Sequence, residues 1–600
     1  MFQDFRRRTT PETGAPRLEA LRAAMAEAGV DAFLVPRADA HQGENVAPRD
    51  ERLAWLTGFT GSAGLAVVTR DRAGIFVDGR YRLQVRDQID TTRITVLRHP
   101  EDKPADWLLE VLAGGGRVGF DPRLHTAREI EALDEALRPG QVSLARVANL
   151  VDGVWEDQPP PPAAPIVAHP VALAGRESAE KRAEIARALM KRDLAAQVLT
   201  LPDSIAWLLN VRGGDIARTP VPLAFAIVGA DGGVTLFTDP AKADAAVREH
   251  LGPEVAILPE SEFTHALDRL RGRIAVDRDS APVWVADRLE GAGAEVVWER
   301  DPCILPKACK TPAEIEGMRA AHLRDGAAMA AFLAWLDRRA PEGGLTEIDV
   351  VTELEAIRAA TGALADISFD TICGAGPNGA IVHYRVTEAS NRAVVPGELL
   401  LVDSGGQYRD GTTDVTRTVA VGPVPAEAVR PFTLVLKGLI AMSRLRWPEG
   451  LAGRDLDAIA RSALWRHGFD YDHGTGHGVG AYLGVHEGPQ SLSRRGAEPL
   501  LPGMVLSIEP GYYREGAFGI RIETLAVVLT PQVPEGGDLP MLGFETLTLV
   551  PVDRRLIDRD LLEPAERAWL DAYHARVLEA LAPLVDAETA RWLAAACAPL

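Results

Sequence analysis

Carboxylates at unusual positions are the feature of this 600-residue sequence that most directly suggests chemistry. Asp403 ends the apolar run of ELLLVDSGG, and Asp414 opens DVTRTVAV after a Gly-rich turn. Two strands joined in this way form a hairpin-like unit whose carboxylates can face each other. Because two ionised carboxylates at close range repel, either one of them is protonated or a cation lies between them.

The same pattern recurs further along the chain. Glu509 is expected inside the apolar strand of MVLSIEPGYY, and Glu523 inside that of GIRIETLAVV. An ionised carboxylate inside an apolar strand is costly unless it is paired or bound to a metal. Any one of these carboxylates taken alone is explained by a capped turn or an Arg partner. Four of them beside a group of histidines predict a pair of divalent ions held by carboxylates and one His.

Histidines are concentrated in the same region, at His383, His473, His477 and His486. The motif HGTGHGVG has the four-residue His spacing of a helical zinc pair, but its glycines disfavour a helix and the Glu of that motif is absent. Gly476–Ala481 also matches a dinucleotide-binding pattern, which the missing strand–turn–helix context excludes. Glycines that let His side chains approach a metal or a substrate explain the motif better.

Two proline-containing segments divide the chain into the domains that must position these residues. QPPPPAAP, at residues 158–165, predicts a stiff extended linker. The second break, DPCILPKACKT, precedes a helix start marked by Thr311, Pro312 and Glu314. The sequence therefore divides near residues 165 and 308.

The first two segments resemble each other. Each has an amphipathic helix, a helical AWL element, a Gly-rich turn and apolar strands, the last of which ends near Asp78 or Asp239. This alternation predicts two related α/β domains, with chance similarity of common α/β patterns as the alternative. The third segment opens with helices and continues with short strands, which indicates an α+β domain, and two amphipathic helices end the chain.

Composition narrows the class of protein. The chain has 85 acidic and 65 basic residues and a formal charge of −20, which disfavours a nucleic-acid-binding function. No apolar run has the length of a membrane span, and no apolar segment follows the basic N-terminus as in a secretory signal. Four cysteines form no disulfide framework. We therefore expect a cytoplasmic protein that contacts neither membranes nor nucleic acid.

The motifs together resemble the creatinase/prolidase-type "pita-bread" metallopeptidases, most closely the long, three-domain aminopeptidase P group. The resemblance is carried by HY at residues 383–384, VDSGGQYRDGTTDVTRT, HGTGHGVG, VHEGP, SIEPGYY and GIRIET, and by DAHQGE, GFTGSAG and DGRY near the N-terminus. It implies two tandem creatinase-like α/β domains followed by a pita-bread catalytic domain. The implied boundaries are residues 1–158, 159–307 (beginning with the Pro-rich linker) and 308–545, with a C-terminal helical extension of the catalytic domain at 546–600.

The resemblance also implies roles for individual residues. The implied metal ligands are Asp403, Asp414, His477, Glu509 and Glu523, holding two divalent ions, usually Mn²⁺ and sometimes Zn²⁺ or Co²⁺. The implied catalytic residues are His383, His486 and Glu509. The implied substrate-binding residues are Arg80, His383, His473, His486 and Tyr513. Arg521, two residues before Glu523, is expected to orient an acidic ligand.

The implied reaction is release of the N-terminal residue from Xaa-Pro-Yaa peptides by a hydroxide that bridges two metal ions, in an enzyme that forms a homodimer. A bond before proline lacks the amide N–H and has a fixed φ, so it requires a specialised site. Two alternatives remain: a prolidase that cleaves Xaa-Pro dipeptides, and a non-catalytic peptide-binding module with the same fold.

Overall fold

The computed structural model describes residues 2–600; Met1, the first residue of the first predicted domain, lies outside them. The chain forms two compact units. The N-terminal unit is Arg8–Ile304, and the C-terminal unit is Leu305–Leu600 together with residues 2–7. Within residues 2–600, no helix combines the length and apolar character that a membrane span requires.

The N-terminal unit contains two similar halves. The first half forms helices α1 (Gly14–Glu27), α2 (Arg52–Thr57), α3 (Gln84–Gln88), α4 (Pro104–Val111) and α5 (Ala127–Leu137), with strands β1 (Ala32–Pro36), β2 (Leu65–Thr69), β3 (Ala73–Val77), β4 (Thr95–Arg98), β5 (Gly116–Phe120) and β6 (Val142–Arg146). The second half forms helices α6 (Val171–Ala174), α7 (Ser178–Lys191), α8 (Pro202–Leu209), α9 (Ala245–Leu251), α10 (Glu262–Arg269) and α11 (Val283–Gly291), with strands β7 (Val167–Ala168), β8 (Ala196–Leu199), β9 (Val211–Arg212), β10 (Phe225–Gly229), β11 (Val234–Phe237), β12 (Val255–Leu258), β13 (Arg273–Val276) and β14 (Glu295–Trp298).

Sheet topology shows that the two halves have the same architecture. The strand orders are β4-β3-β2-β1-β5-β6 and β12-β11-β10-β8-β13-β14. In each sheet the central strand, β1 or β8, pairs antiparallel with one neighbour and parallel with the other. The predicted AWL helices are α2 and α8. This agreement in order and direction confirms the prediction of two related α/β domains.

The two strand-ending aspartates have a structural explanation. The side chain of Asp78 accepts a hydrogen bond from the Arg80 backbone N–H, and that of Asp239 accepts one from the Ala241 N–H. Each therefore caps the short 3₁₀ turn that follows its strand, as Asp commonly does at such ends. The Pro-rich segment 158–165 has no regular structure, as its composition predicts.

The C-terminal unit has α+β architecture. Its helices are α12 (Ile304–Ala308), which begins at the last residue of the N-terminal unit, α13 (Pro312–Arg339), α14 (Glu347–Ala360), α15 (Ala426–Ser443), α16 (Gly453–Trp465), α17 (Pro564–Leu581) and α18 (Ala587–Ala596). Its strands are β15 (Leu364–Ile367), β16 (Ile372–Ala375), β17 (Leu399–Ser404), β18 (Gly406–Tyr408), β19 (Gly411–Thr412), β20 (Val415–Ala420), β21 (Arg446–Pro448), β22 (Gly476–Gly478), β23 (Glu487–Leu492), β24 (Val505–Ile508), β25 (Gly511–Arg514), β26 (Phe518–Arg521), β27 (Thr524–Val528) and β28 (Met541–Thr546).

Helices cover the strands that carry the candidate site. Apolar residues of α13 and α14 pack against the β16-β17-β20 sheet, and apolar residues of α15 and α16 pack against the six-stranded sheet β21-β28-β27-β24-β22-β23. Helix α13 begins where the sequence predicts: the Thr311 hydroxyl accepts from the Glu314 N–H, and Glu314 caps Thr311 in return. Such a capping box contributes about 1 kcal/mol. The predicted C-terminal helices are α17 and α18.

Candidate metal centre

The paired strands β17 and β20 bring the first two candidate ligands together. They run antiparallel with Asp403 opposite Thr416, and Asp414 directly precedes β20. Both carboxylates are buried. This is the hairpin-like unit that the spacing predicts, with the intervening residues forming β18 and β19.

Glu509 and Glu523 lie at strand ends, and the expectation that they lie inside strands is wrong. Glu509 follows the last residue of β24 and precedes Pro510, whose missing N–H cannot continue a sheet ladder. Glu523 lies between β26, which pairs with β25, and β27, which pairs with β24. The chain therefore leaves one sheet for another at this carboxylate, and both Glu side chains are placed where regular pairing stops.

His477 lies on the short strand β22, flanked by Gly476 and Gly478. A Cβ at Gly476 would lie 1.8 Å from the Ser507 carbonyl oxygen, and a Cβ at Gly478 would lie 2.1 Å from that of Glu487. The glycines are therefore required by the close approach of the neighbouring backbone. They let the imidazole reach the carboxylates, as the glycines of HGTGHGVG predict.

The geometry around His477 fits a metal ligand. Its Nδ1 lies 3.0 Å from the Gly478 carbonyl oxygen, so Nδ1 carries the proton and donates. Its Nε2 lies 3.5 Å from Asp414 Oδ2 and 3.5 Å from Glu509 Oε1. One ligand atom from each of Asp414, His477 and Glu523 lies within 4.8 Å of the other two.

The electrostatics of the carboxylates also fit a cation. Burial and the charges of Asp403 and Glu509 raise the pKa of Asp414 well above its usual value. Burial and the charge of Asp414 raise the pKa of Glu523 likewise. Among residues 2–600, neither Asp403 Oδ1 nor Asp414 Oδ1 has a hydrogen-bond partner, although both atoms are buried. Divalent ions between these oxygens would remove the repulsion and satisfy both atoms.

Arg521 holds one of these carboxylates in place. Its Nη2 donates to Asp403 Oδ2 at 2.6 Å, and its Nη1 donates to the Tyr513 hydroxyl at 2.7 Å. Asp403 can accept this bond and still direct Oδ1 into the site. The contact agrees with the orienting role expected of Arg521.

Tyr513 links Arg521 to His473. The His473 Nδ1 lies 2.7 Å from the Gly474 carbonyl oxygen and donates to it, and its Nε2 hydrogen-bonds the Tyr513 hydroxyl at 2.9 Å. Burial raises the pKa of Tyr513 to about 12, so the phenol stays protonated at neutral pH. His473 therefore lies at one end of a hydrogen-bonded chain that runs through Tyr513 to Arg521.

Two further histidines are predicted to contact substrate. The ring of His486 lies against that of His477, with centroids 4.3 Å apart and planes at 74°. The exposed side chain of His486 is thus adjacent to the candidate ligands. His383 is half-buried on the loop between the 3₁₀ turn Gly376–Ala380 and β17. Its role remains a prediction.

Arg80 lies in the N-terminal unit. Its guanidinium hydrogen-bonds Asp78, with Nη2 2.8 Å from Oδ2, and lies 3.7 Å from Glu44 Oε1. Both partners are negatively charged, and the arginine is partly buried. Its expected contact with substrate is not tested by these interactions and stays a prediction.

Sequence reasoning missed several residues that support the ligands. The Thr416 hydroxyl donates to Glu523 Oε2 at 2.6 Å and accepts from Arg521 Nε at 3.2 Å. The Ser507 hydroxyl donates to Glu509 Oε1 at 3.1 Å and accepts from the His477 backbone N–H at 2.9 Å. Both lie two positions from a candidate ligand in DVT or SIE, and this period-2 spacing could have identified them.

The loop that carries His473 is fixed from helix α16. Arg461 donates to Asp457, to Asp470 and to the backbone carbonyls of Tyr471 and His473, each at 2.7–2.8 Å. This single buried guanidinium therefore sets the path of the chain that leads into β22. Nothing in the local sequence signals it.

Comparisons with known proteins agree with this geometry. Residues 316–530 match the profile described as metallopeptidase family M24, residues 17–154 and 157–314 each match a creatinase/prolidase N-terminal domain, and residues 540–600 match the C-terminal region of that peptidase family. The probable Xaa-Pro aminopeptidase P of Coccidioides posadasii strain C735 is 41% identical over 588 residues, which cover 95% of this chain and 90% of that protein. The aminopeptidase P2 of Arabidopsis thaliana is 39% identical over 634 residues, covering 98% and 89%.

A solved structure matches the whole architecture. The X-prolyl aminopeptidase of Caenorhabditis elegans, described as a cytosolic enzyme with a di-nuclear active site, aligns with a TM-score of 0.93 at 33% identity and covers 98% of this chain and 100% of its own. Together with the sequence matches, this alignment confirms the resemblance that the motifs indicate. It also confirms the predicted fold, two creatinase-like α/β domains followed by a pita-bread domain.

Proposed function

The chain belongs to metallopeptidase family M24, with two creatinase/prolidase-type N-terminal domains, and from this premise we propose that it is a metal-dependent Xaa-Pro aminopeptidase. The proposed reaction releases the N-terminal residue from peptides with proline in second position. The observation that carries the proposal is the convergence of three acidic side chains on His477, namely those of Asp414, Glu509 and Glu523. The charge of a fourth, Asp403, raises the pKa of Asp414. The names and near-complete coverage of the relatives support the same activity.

Two divalent ions fit the donor set. The residues that would hold them are Asp403, Asp414, His477, Glu509 and Glu523. Because four of these five side chains are carboxylates and only one is an imidazole, the donor set favours Mn²⁺, with Zn²⁺ and Co²⁺ as alternatives. When bound, such a pair supplies Lewis acidity and lowers the pKa of a water molecule. The di-nuclear site named for the nematode enzyme supports this stoichiometry.

Glu509 is the proposed proton carrier. It is the most exposed of the four acidic candidates, with its Oε1 fixed by the Ser507 hydroxyl. A carboxylate at this position can accept a proton from the attacking water and deliver it to the departing proline nitrogen. The nitrogen needs this proton because it leaves as a secondary amine.

The remaining polar side chains are proposed to bind and orient the peptide. His383 and His486 would donate hydrogen bonds to substrate oxygens as negative charge develops on them. His473, hydrogen-bonded to Gly474 and Tyr513, would be an auxiliary substrate contact. Arg80 is proposed as a further substrate contact. Arg521 is proposed to act through Asp403, to which it donates a hydrogen bond.

An assay of three matched peptides tests the proposal. The metal-loaded protein should cleave Xaa-Pro-Yaa after the first residue, cleave Xaa-Ala-Yaa far more slowly, and cleave the dipeptide Xaa-Pro poorly. Cleavage of the dipeptide alone would establish the prolidase alternative. Peptide binding with no hydrolysis after addition of Mn²⁺, Zn²⁺ or Co²⁺ would establish the non-catalytic alternative.

Location and assembly are proposals as well. We propose a cytosolic enzyme, in line with the description of the nematode relative and the absence of a disulfide framework from the four cysteines of the sequence. We also propose a homodimer, which light scattering of the purified protein would test. A mass near 64.5 kDa in solution would contradict the dimer.

A further inference from the structure

A buried group of charges lies directly behind His486. Lys307 and Lys310 both form ion pairs with the carboxylate of Glu487, the residue that follows His486 in the chain. The Lys307 Nζ lies 3.0 Å from Glu487 Oε2, and Lys310 pairs with the other oxygen, Oε1. All three side chains are at most 2% exposed. We call these three residues the Glu487 clamp.

Neighbouring residues on an extended chain point to opposite sides, and this relates the clamp to the site. Glu487 begins strand β23 and is buried, whereas His486 is exposed with its ring against that of His477. A side chain anchored inward at Glu487 therefore aims His486 outward. The direction of the imidazole depends on where the Glu487 carboxylate is held.

Backbone pairing alone does not determine this position. Strand β22 pairs with β23, but the register shifts between His477 and Gly478, which lie opposite Ser491 and Glu487. The ladder is thus interrupted at the point where the two histidines meet. The ion pairs supply the constraint that a regular ladder would otherwise provide.

The two ammonium groups reach Glu487 from a different part of the chain. Lys307 lies on the short helix α12, and Lys310 precedes α13, where its backbone N–H donates to the Gly503 carbonyl oxygen. Lys310 is therefore fixed at both its main chain and its side chain. Breaking a buried ion pair by removing one partner is strongly destabilising, since the other charge is left uncompensated.

We infer that Lys307 and Lys310, acting through Glu487, are positioning residues that aim His486 at the substrate. The expected loss of activity rests on the proposed function, but the position of the His486 side chain can be measured in the protein without substrate. A misplacement of about 1 Å in a catalytic group can cost on the order of a hundredfold in rate. Loss of one lysine should therefore lower kcat with the metal ligands intact.

The first experiment compares Lys307→Met with Lys437→Met. Methionine keeps the unbranched stem and removes the charge. Lys437 pairs with the partly buried Glu566, so its substitution is a matched loss of an ion pair in the same unit, outside the site. We expect Lys307→Met to lower kcat about tenfold or more, to change KM less than about threefold and to keep two metal ions per chain. Wild-type kcat in Lys307→Met would overturn the inference.

A double-mutant cycle distinguishes positioning from general destabilisation. If Lys307 acts through His486, Lys307→Met should cost little further activity in a His486→Ala background, measured by single turnover at high enzyme concentration. Equal losses in both backgrounds would show that the lysine supports the fold and not His486, and would overturn the inference. Glu487→Gln, which keeps the shape of the side chain, should show the same non-additivity.

A spectroscopic readout separates the clamp from the proposed function. In protein labelled at the histidine Cε1, the His486 resonance is assigned by its absence in His486→Ala. We expect this resonance to shift in Lys307→Met and Glu487→Gln and to stay in place in Lys437→Met. This result can be obtained even if no Xaa-Pro peptide is cleaved. An unmoved resonance in both clamp variants would overturn the inference whatever the activity.

Discussion

Asp414 shows, at the scale of a single residue, how a site can be destabilising without its cation. The carboxyl is buried, faces three other acidic side chains and has an Oδ1 atom with no hydrogen-bond partner among the described residues. The fold holds these groups together through Thr416, Ser507 and Arg521, each of which donates a hydrogen bond to one oxygen of a candidate ligand. The geometry is thus set by neutral donors and one guanidinium before any cation binds.

Substitution of Asp414 by Asn should separate activity from stability. The amide removes one charge and one ligand, so we expect hydrolysis to fall by on the order of a thousandfold, the equivalent of the several kcal/mol that metal catalysis supplies. The free energy of unfolding of the metal-free protein should be unchanged or higher because a repulsion is lost. Peptide hydrolysis and urea unfolding measure the two quantities. Near-normal turnover would contradict the assignment of Asp414.

Thr416 should affect metal affinity without being a ligand. Thr416→Val keeps the shape of the side chain but removes the bond to Glu523 and the acceptor for Arg521. We expect about 10–100-fold weaker metal binding, with activity restored at saturating metal. Thr433→Val is the control, because that buried hydroxyl bonds Val429 and Asp558 away from the site. An equal loss of metal affinity in both variants would contradict this role.

At the scale of elements, the sequence predicts those structural features that depend on residues close together in the chain. The start of α13 is predicted because Thr311, Pro312 and Glu314 act within one turn. The β17–β20 pair is predicted because an apolar run and a second strand-forming segment flank a Gly-rich turn. Glu509 and Glu523 are identified as ligands but are placed inside strands, since the sequence does not reveal that the chain changes sheets beside them.

Long-range contacts between elements could not be predicted. Lys310 and Glu487 are 177 positions apart, and the sequence of the Lys307–Lys310 segment indicates only a break between domains. Arg461 is closer in sequence to the loop that it fixes. Its buried role is still not predicted, because an Arg on an amphipathic helix is usually exposed. In both cases the partner is set by tertiary packing, and the local pattern carries no signal of it.

The contact between α17 and the segment after β28 should make stability depend on pH. Burial, together with Arg417 and Arg554, lowers the pKa of His574 from 6.5 to about 4, and its Nε2 accepts from the Val552 N–H. As pH falls from about 6.5 towards 4, the unfolded chain binds a proton that the folded chain excludes. Stability is therefore full above this window and declines within it, by about 3 kcal/mol in total.

His574→Gln provides the test of this pH dependence. The amide oxygen can accept the same N–H and does not titrate, so the difference in unfolding free energy between wild type and variant should change by about 3 kcal/mol between pH ~7 and ~4. His265→Gln, at an exposed position on α10, should follow the wild-type profile. Parallel curves for wild type and His574→Gln in urea titrations would refute the role of His574.

At the scale of the whole molecule, all five candidate metal ligands belong to the C-terminal unit, whereas the two creatinase-like halves form the other. A ligand that binds only the folded state stabilises it by RT ln(1 + [L]/Kd), about 2.7 kcal/mol at a hundredfold excess over Kd. Different regions of a protein unfold locally with different free energies, so stabilisation by a ligand can affect one region more than another. Metal binding should therefore act on the two units unequally.

Hydrogen exchange of the full chain with and without Mn²⁺ would measure this difference. We expect the added protection to concentrate in peptides from Leu305–Leu600, above all those spanning β17–β20, β22 and β24, and to be absent or small in peptides from Arg8–Ile304. In Asp414→Asn the added protection should be lost because a ligand is missing. Equal protection of both units would show that they open as one cooperative body, and protection that persists in Asp414→Asn would show that the cation binds elsewhere.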